Sequence, residues 1–244
     1  MKCGNVIGKG NTATVYEWEE GKVLKLFYQG YPKEAVEGEF DNARAVSDMA
    51  FSKPKVHGLV NCQDRMGIIY DRVRGESLLD WVLRTRDLQG CALHMAKLHK
   101  TILRNRISNV PNYKEFLKHN IKKAQSVDSK KQKEALQIVD KLPEGDTLCH
   151  GDFHPGNIFI LDMNTMVIDF MNVCRGDYLY DVARTIFLVE YTLVPAEAED
   201  REMLLKFKKA LADLYLMQMN VTREMIQDYL SAIIIARAGE CPNE

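Results

Sequence analysis

The chain has 244 residues, 46% of them hydrophobic and 27% charged, enough for one large domain or two small lobes around a real core. Its net charge of −1 offers no basic surface, so neither nucleic acid nor membrane is an expected partner. Six scattered cysteines with no C-x-x-C pair, an N-terminus without an apolar signal core and no run of about 18 apolar residues predict a cytoplasmic protein with reduced thiols.

The N-terminal part is strand-rich. "NVIGKG", "ATVYEWEE" and "KVLKLFY" are short β-prone runs, the last two joined at Glu20-Gly21 by a hairpin turn. "PKEAVEGEFDNARAVSDM" then predicts a helix with Pro32 near its start. "KVHGLV" and "MGIIYDRV" read as two further strands. Past "RGESL" the apolar residues recur at i, i+3 and i+4, in "LLDWVLRTR", "CALHMAKLHKTIL" and "YKEFLKHNIKKAQSV". A strand–loop–strand island, "NIFILDMNTMVIDF", interrupts the helices, and Asp200 to Ala238 is helical by pattern. The expected class is α+β: a small β lobe with one helix over residues 1–73, then a larger, mainly helical lobe over residues 74–244.

Residues with chemistry fall at the junctions of these elements. Gly8 and Gly10 lie between β-prone runs, where the missing Cβ lets backbone N–H groups approach phosphate oxygens. The third glycine of G-x-G-x-x-G is replaced by Ala13. The segment is no P-loop either, since Gly4 to Gly8-Lys9 is one residue short of G-x-x-x-x-G-K. Lys25 alternates with apolar Val23, Leu24 and Leu26, an unusual place for a solvated charge. It could reach under the glycine turn to the same phosphates. Such a lysine needs an anion to fix it. Glu39 is the choice among the helix acids, because Phe40, Ala43 and Val46 beside it make an inward face. Alone, each residue has an ordinary use: hairpin glycine, edge-strand lysine, solvated glutamate.

The stretch "CHGDFHPGNIFI" sets Asp152 and Asn157 with four residues between them, and Asp169 follows twelve residues later in "VIDF". The D-x-x-x-x-N spacing matches the catalytic loop of phosphotransferases. A carboxylate there takes the acceptor's hydroxyl proton. An amide oxygen and a second carboxylate are hard ligands for Mg²⁺ on a triphosphate. Turn chemistry explains Asp152 and Asn157 singly but not the ordered set. A zinc site from Cys149, His150, His154 and Cys174 has poor spacing. His150 is better read as a buried residue orienting the loop.

With these motifs, "CHGDFHPGNIFI…MVIDF…GDYLYDVAR" resembles the aminoglycoside phosphotransferase and choline kinase family, over nearly the whole chain. The resemblance implies a protein-kinase-like two-lobe fold with an antiparallel β lobe. It also implies an ATP- or GTP-dependent, Mg²⁺-requiring transfer to a hydroxyl of a small molecule such as an aminoglycoside, a choline-like alcohol or a sugar. By match to its motifs, Asp152 is the catalytic base, Asn157 and Asp169 hold Mg²⁺, and Lys25 with Glu39 is the ion pair on the phosphates. The backbone from Asp71 to Val73, in "IIYDRVRGESL", would meet the adenine. Met171 stands where D-F-G has its glycine, a common departure in small-molecule kinases. The alternatives are a protein kinase or a non-catalytic nucleotide-binding regulatory module. Against a protein kinase, only the seven residues Phe170 to Gly176 separate Asp169 from Asp177, too few for an activation segment. Glu190, Glu197, Glu199, Asp200 and Glu202 would make an acidic wall suited to a cationic acceptor. Their simpler reading is a solvated helix start.

Overall fold

The computed structural model describes residues 4–62, 64–194 and 200–242. Strands β1 (Val6–Lys9), β2 (Ala13–Glu17), β3 (Lys22–Phe27), β4 (Val56–Cys62) and β5 (Arg65–Asp71) form one antiparallel sheet in the order β1-β2-β3-β5-β4. Helix α1 (Lys33–Ala45) lies between β3 and β4 in sequence and packs on β4 and β5. It is shorter than its pattern, because Val46 to Met49 continue as separate turns.

Alternation along β3 sorts the sheet's two faces. Leu24 and Leu26 bury against Cys62, Tyr16, Trp18, Val60 and Ile69 on the outer face. Val23 and Phe27 join the main core with Ile68, Tyr70 and the α1 residues Val36 and Ala43. Lys25 shares this inner face, in register with Val15 on one side and Ile68 on the other.

The chain leaves this sheet at Asp71. There follow β6 (Glu76–Ser77), α2 (Leu78–Thr85), α3 (Leu88–Leu103), α4 (Tyr113–Lys123), α5 (Ser129–Lys141), β7 (Thr147–Cys149), β8 (Ile158–Leu161), β9 (Asn164–Val167) and β10 (Cys174–Gly176). Next come α6 (Tyr178–Ile186), a π-helical turn (Phe187–Tyr191), α7 (Arg201–Met219) and α8 (Arg223–Glu240). Two small antiparallel sheets, β6-β8-β9 and β7-β10, sit among the helices. The helices start at side-chain caps where the sequence offers them: Ser77, Asp87, Asn112, Asp128, Asp177 and Thr222.

Two helical segments go beyond the sequence pattern. The pattern missed α5, because only Ala135 and Val139 of that helix are fully buried and its apolar stripe is thin. The region from Asp200 to Ala238 is helical as expected and comprises two helices. Asn220 takes a left-handed backbone, φ +59, and Thr222 caps the next helix through Met225 N–H. Among the described residues, no helix is long and apolar enough to cross a membrane.

Candidate active site

Lys25 is the centre of a buried charge cluster. Its Nζ donates to Glu39 Oε1 and Oε2, both at 2.9 Å, and to Asp169 Oδ1 at 3.1 Å. Tyr70, on β5, donates its hydroxyl to Glu39 Oε1 at 3.0 Å. The Glu39 side chain is wholly buried, whereas Asp169 keeps 29% of its side chain exposed. Burial alone would lower the Lys25 pKa, but the Asp169 and Glu39 carboxylates overcome it and raise the pKa above its ordinary value. For Asp169, burial pushes upward and the Lys25 ammonium holds the carboxyl below the usual range. Glu39 is pushed up to about 7, by burial first. When all three are ionised, two carboxylates face one ammonium. The surplus negative charge suits a cation beside the partly exposed Asp169.

The segment that carries Asp169 is held from both lobes. Ile168 N–H donates to the Asn157 carbonyl at 2.9 Å, which extends the β8–β9 ladder and brings Asn157 and Asp169 to the same end of it. Asp169 itself has φ +68. Asn42 on α1 donates to the Phe170 carbonyl at 3.0 Å, and Val167 N–H to the Ser52 carbonyl at 3.1 Å.

Asp152 sits on a short loop after β7. Asn157 Nδ2 donates to the Asp152 carbonyl at 2.9 Å and to Asp152 Oδ2 at 2.8 Å. This use of the amide NH₂ orients Asn157 and leaves its Oδ1 for another partner. The Pro155–Asn157 3₁₀ turn makes that return possible, and His154 caps it by accepting from Gly156 N–H at 3.1 Å. His150 is buried. Its Nδ1 accepts from Asp152 N–H at 3.3 Å, so its Nε2–H is the donor to the Ile168 carbonyl at 3.2 Å. Burial lowers the His150 pKa, consistent with that neutral tautomer. One ring thus ties the Asp152 loop to the residue before Asp169, as the sequence reading expected of a buried His150.

Gly8 pairs with Val15, and Gly10 follows β1 in the turn, its N–H bonded to the Ala13 carbonyl at 2.9 Å. A Cβ at either glycine would meet nothing nearer than 3.7 Å. No protein neighbour demands glycine at these two positions, so the open space above the turn is what their missing side chains provide. At the segment between the lobes, Asp71 N–H is taken by the Lys55 carbonyl (2.9 Å) and Arg72 N–H by the Gly21 carbonyl (2.8 Å). The Asp71 carboxylate turns toward β4, accepting from Lys55 N–H and pairing with His57 at 2.7 Å. The Asp71 N–H and carboxylate are therefore taken up by the sheet, whereas Val73 N–H makes no such bond among the described residues.

The profile of the phosphotransferase enzyme family matches residues 4–213, a span that contains every residue above. The chain belongs to that family. No curated protein sequence matches it. Among solved structures, an aminoglycoside-3'-phosphotransferase of type VIII superposes with a TM-score of 0.68 at 15% identity, covering 95% of this chain and 92% of its own. The amicoumacin kinase hAmiN, in complex with AMP-PNP, Ca²⁺ and Ami, gives 0.64 at 17% identity, covering 97% and 79%. The aminoglycoside phosphotransferase APH(3'')-Id from Streptomyces rimosus, in complex with ADP and streptomycin, gives 0.62 at 14% identity, covering 91% and 90%. The two-lobe, protein-kinase-like α+β fold expected from the sequence is therefore the fold of this phosphotransferase.

Within this phosphotransferase, the remaining candidates resolve as follows. Among the described residues, no cluster of three or more His, Cys, Asp or Glu could hold a metal, so the Cys149, His150, His154, Cys174 alternative is absent. Cys149 and Cys174 are cross-strand partners in β7 and β10, and both are buried. Of the acids after Asp181, Glu190 pairs with Arg223 and Glu202 with Lys206, each at 2.7 Å. Glu197 and Glu199 lie outside the described residues. Sequence reasoning gave no role to Asn42, Tyr70, His99 or Asp181. Asp181 is fully buried and accepts from His150 N–H at 2.6 Å, Gly151 N–H at 2.8 Å and His99 Nε2 at 2.9 Å. The available signal was a charged residue inside the apolar stretch "YLYDVARTIF".

Proposed function

We propose that this phosphotransferase moves the γ-phosphoryl group of ATP or GTP to a hydroxyl of a small molecule. The observation that carries the reading is Lys25, fixed between buried Glu39 and partly exposed Asp169, with Asp169 brought to the same end of the β8–β9 ladder as Asn157, which bonds Asp152. In this reading residues 1–73 hold the nucleotide and residues 74–244 supply the base and the acceptor site. The Gly8–Gly10 turn covers the phosphates and Lys25 draws their charge. Val73, rather than Asp71, offers the free backbone N–H to the adenine.

Asn157 Oδ1 and the Asp169 carboxylate fit Mg²⁺: both are hard oxygen donors, and two protein ligands leave positions for phosphate oxygens. When bound, Mg²⁺ neutralises charge on the transferring phosphates. Asn157 and His150 hold the Asp152 loop, and Asp152 accepts the acceptor's hydroxyl proton as the oxygen attacks in line. Neighbours solved with AMP-PNP and Ca²⁺, or with ADP and streptomycin, support a nucleotide and a small hydroxyl compound as the ligands.

Only Phe170 to Val173 lie between Asp169 and β10, which leaves a protein kinase no activation segment to position a peptide. Of the acids that would favour a cationic acceptor, Glu190 and Glu202 are taken up in ion pairs. The test is a phosphate-transfer screen over amino sugars, choline-like alcohols, sugars and hydroxy amino acids. Turnover on one class supports the proposal. Stoichiometric phosphorylation of a protein with no small-molecule turnover would refute it.

A further inference from the structure

Gly151, the residue just before the proposed base, is gripped at both of its backbone polar groups by one helix. Gly151 N–H donates to Asp181 Oδ1 at 2.8 Å, and the Gly151 carbonyl accepts from Arg184 Nε at 3.0 Å. Asp181 and Arg184 lie three residues apart on α6, so both face the loop. Gly151 has φ +76, and a Cβ there would lie 2.1 Å from the Asn172 carbonyl oxygen, so this residue has little room to shift.

Arg184 is itself held from far along the chain. Its guanidinium is 1% exposed and lies between the rings of Phe116 and Phe187, at 5.7 Å and 5.9 Å. Its Nη2 donates to Glu240 Oε1 at 2.5 Å, in the last turn of α8. Arg237 also reaches Glu240, at 3.3 Å. That turn cannot slide freely, since a Cβ on Gly239 would lie 2.0 Å from the Asn120 carbonyl at the end of α4.

We propose that Arg184 and Glu240 form a positioning clamp through which the end of α8 fixes Gly151 and hence Asp152. The proposal rests on the reading of Asp152 as the base. A guanidinium can donate from Nε to one partner and from Nη2 to another in fixed directions. A lysine ammonium at the end of a flexible stem cannot span both.

The experiment compares Arg184→Lys and Glu240→Gln with the parent, measuring kcat, nucleotide KM and amide hydrogen exchange over residues 149–158. Misplacing a catalytic group by about 1 Å costs on the order of 10²-fold, so kcat should fall by about 10-fold to 100-fold. Nucleotide KM should stay unchanged, and exchange should quicken in the loop but not in β3, which reports global stability. Added to Asp152→Ala, Arg184→Lys should cost nothing further, because the clamp acts only through that carboxylate. Parent kcat in both variants, a kcat loss without faster loop exchange, or the same fold-loss in the Asp152→Ala background would overturn the clamp. Parent turnover in Asp152→Ala alone would instead sink the base assignment, and loop exchange would still judge the clamp.

Discussion

Glu39→Gln should make the nucleotide-free protein more stable and less active. The Glu39 carboxylate is fully buried, and burial pushes its pKa from 4.5 up to about 7, with Lys25 pulling down and Asp169 pushing further up. A carboxyl whose pKa is raised by folding holds its proton more tightly in the folded chain. Its contribution is therefore most favourable below pH 4.5 and declines as pH rises from 4.5 to about 7. At about 1.4 kcal/mol per pH unit, ionised Glu39 costs about 3 kcal/mol above pH 7. For a chain of this size that is roughly 6–12 °C in Tm. His150 works in the opposite direction, since burial lowers its pKa and its contribution improves as pH rises toward 6.5. Both proteins share that histidine, so the difference between them isolates Glu39. Thermal melts from pH 5 to 8.5, without nucleotide or divalent cation, should show the Glu39→Gln variant gaining on the parent as pH rises. Its phosphotransfer should fall, because the neutral amide no longer fixes Lys25 by charge. Parallel melting curves would refute the reasoning and show that Lys25 compensates the buried carboxylate in full.

Three further outcomes follow from the site. Asp152→Ala should cut transfer by about 10²–10⁴-fold, the usual contribution of a general base, with nucleotide affinity retained; unchanged turnover would remove Asp152 from the chemistry. Nucleotide at 100 times its Kd should stabilise the parent by about 2.7 kcal/mol in a thermal shift with Mg²⁺. Asp169→Ala should lose the Mg²⁺-dependent part, and a full shift would contradict its role as a ligand. Lys25→Arg should not restore turnover, because a planar fork cannot sit between Glu39 and Asp169 as the compact ammonium does. Parent rates in that variant would make Lys25 dispensable.

Much of the fold was readable because periodicity reports burial directly. β3 shows as a β-prone run before any partner is known, and the structure sorts Leu24 and Leu26 to one face and Val23, Lys25 and Phe27 to the other. Where burial is thin the signal fades, as in α5. A helical pattern also carries no record of a single left-handed residue, so it did not show that Asn220 divides the helical region into two helices. The central residues were legible for a related reason. Asp152, Asn157 and Asp169 lie within one loop and one hairpin, and local spacing fixes their geometry.

The supports were not legible, because each finds its purpose only across the fold. Asn42 reaches Phe170, 128 positions away, and His99 reaches Asp181, 82 positions away. From the sequence, Asn42 is a helix asparagine and His99 a core histidine. Asp181 and Arg184 differ in one respect. Their helix neighbours Tyr180, Val182, Ala183 and Ile186 are all buried, and so are they. An ionised group taken out of water costs several kcal/mol unless paired. Two charges on such a helix, three residues apart, therefore require specific partners that the helix itself cannot supply. The partners they find are the His150–Gly151 peptides, His99 and Glu240. The need for partners can be inferred from the sequence, but their identity depends on how β7, α3 and α8 converge on α6. That convergence gives the helix its role: its buried Asp181 and Arg184 bond the same backbone groups that must be held still for Asp152 to act.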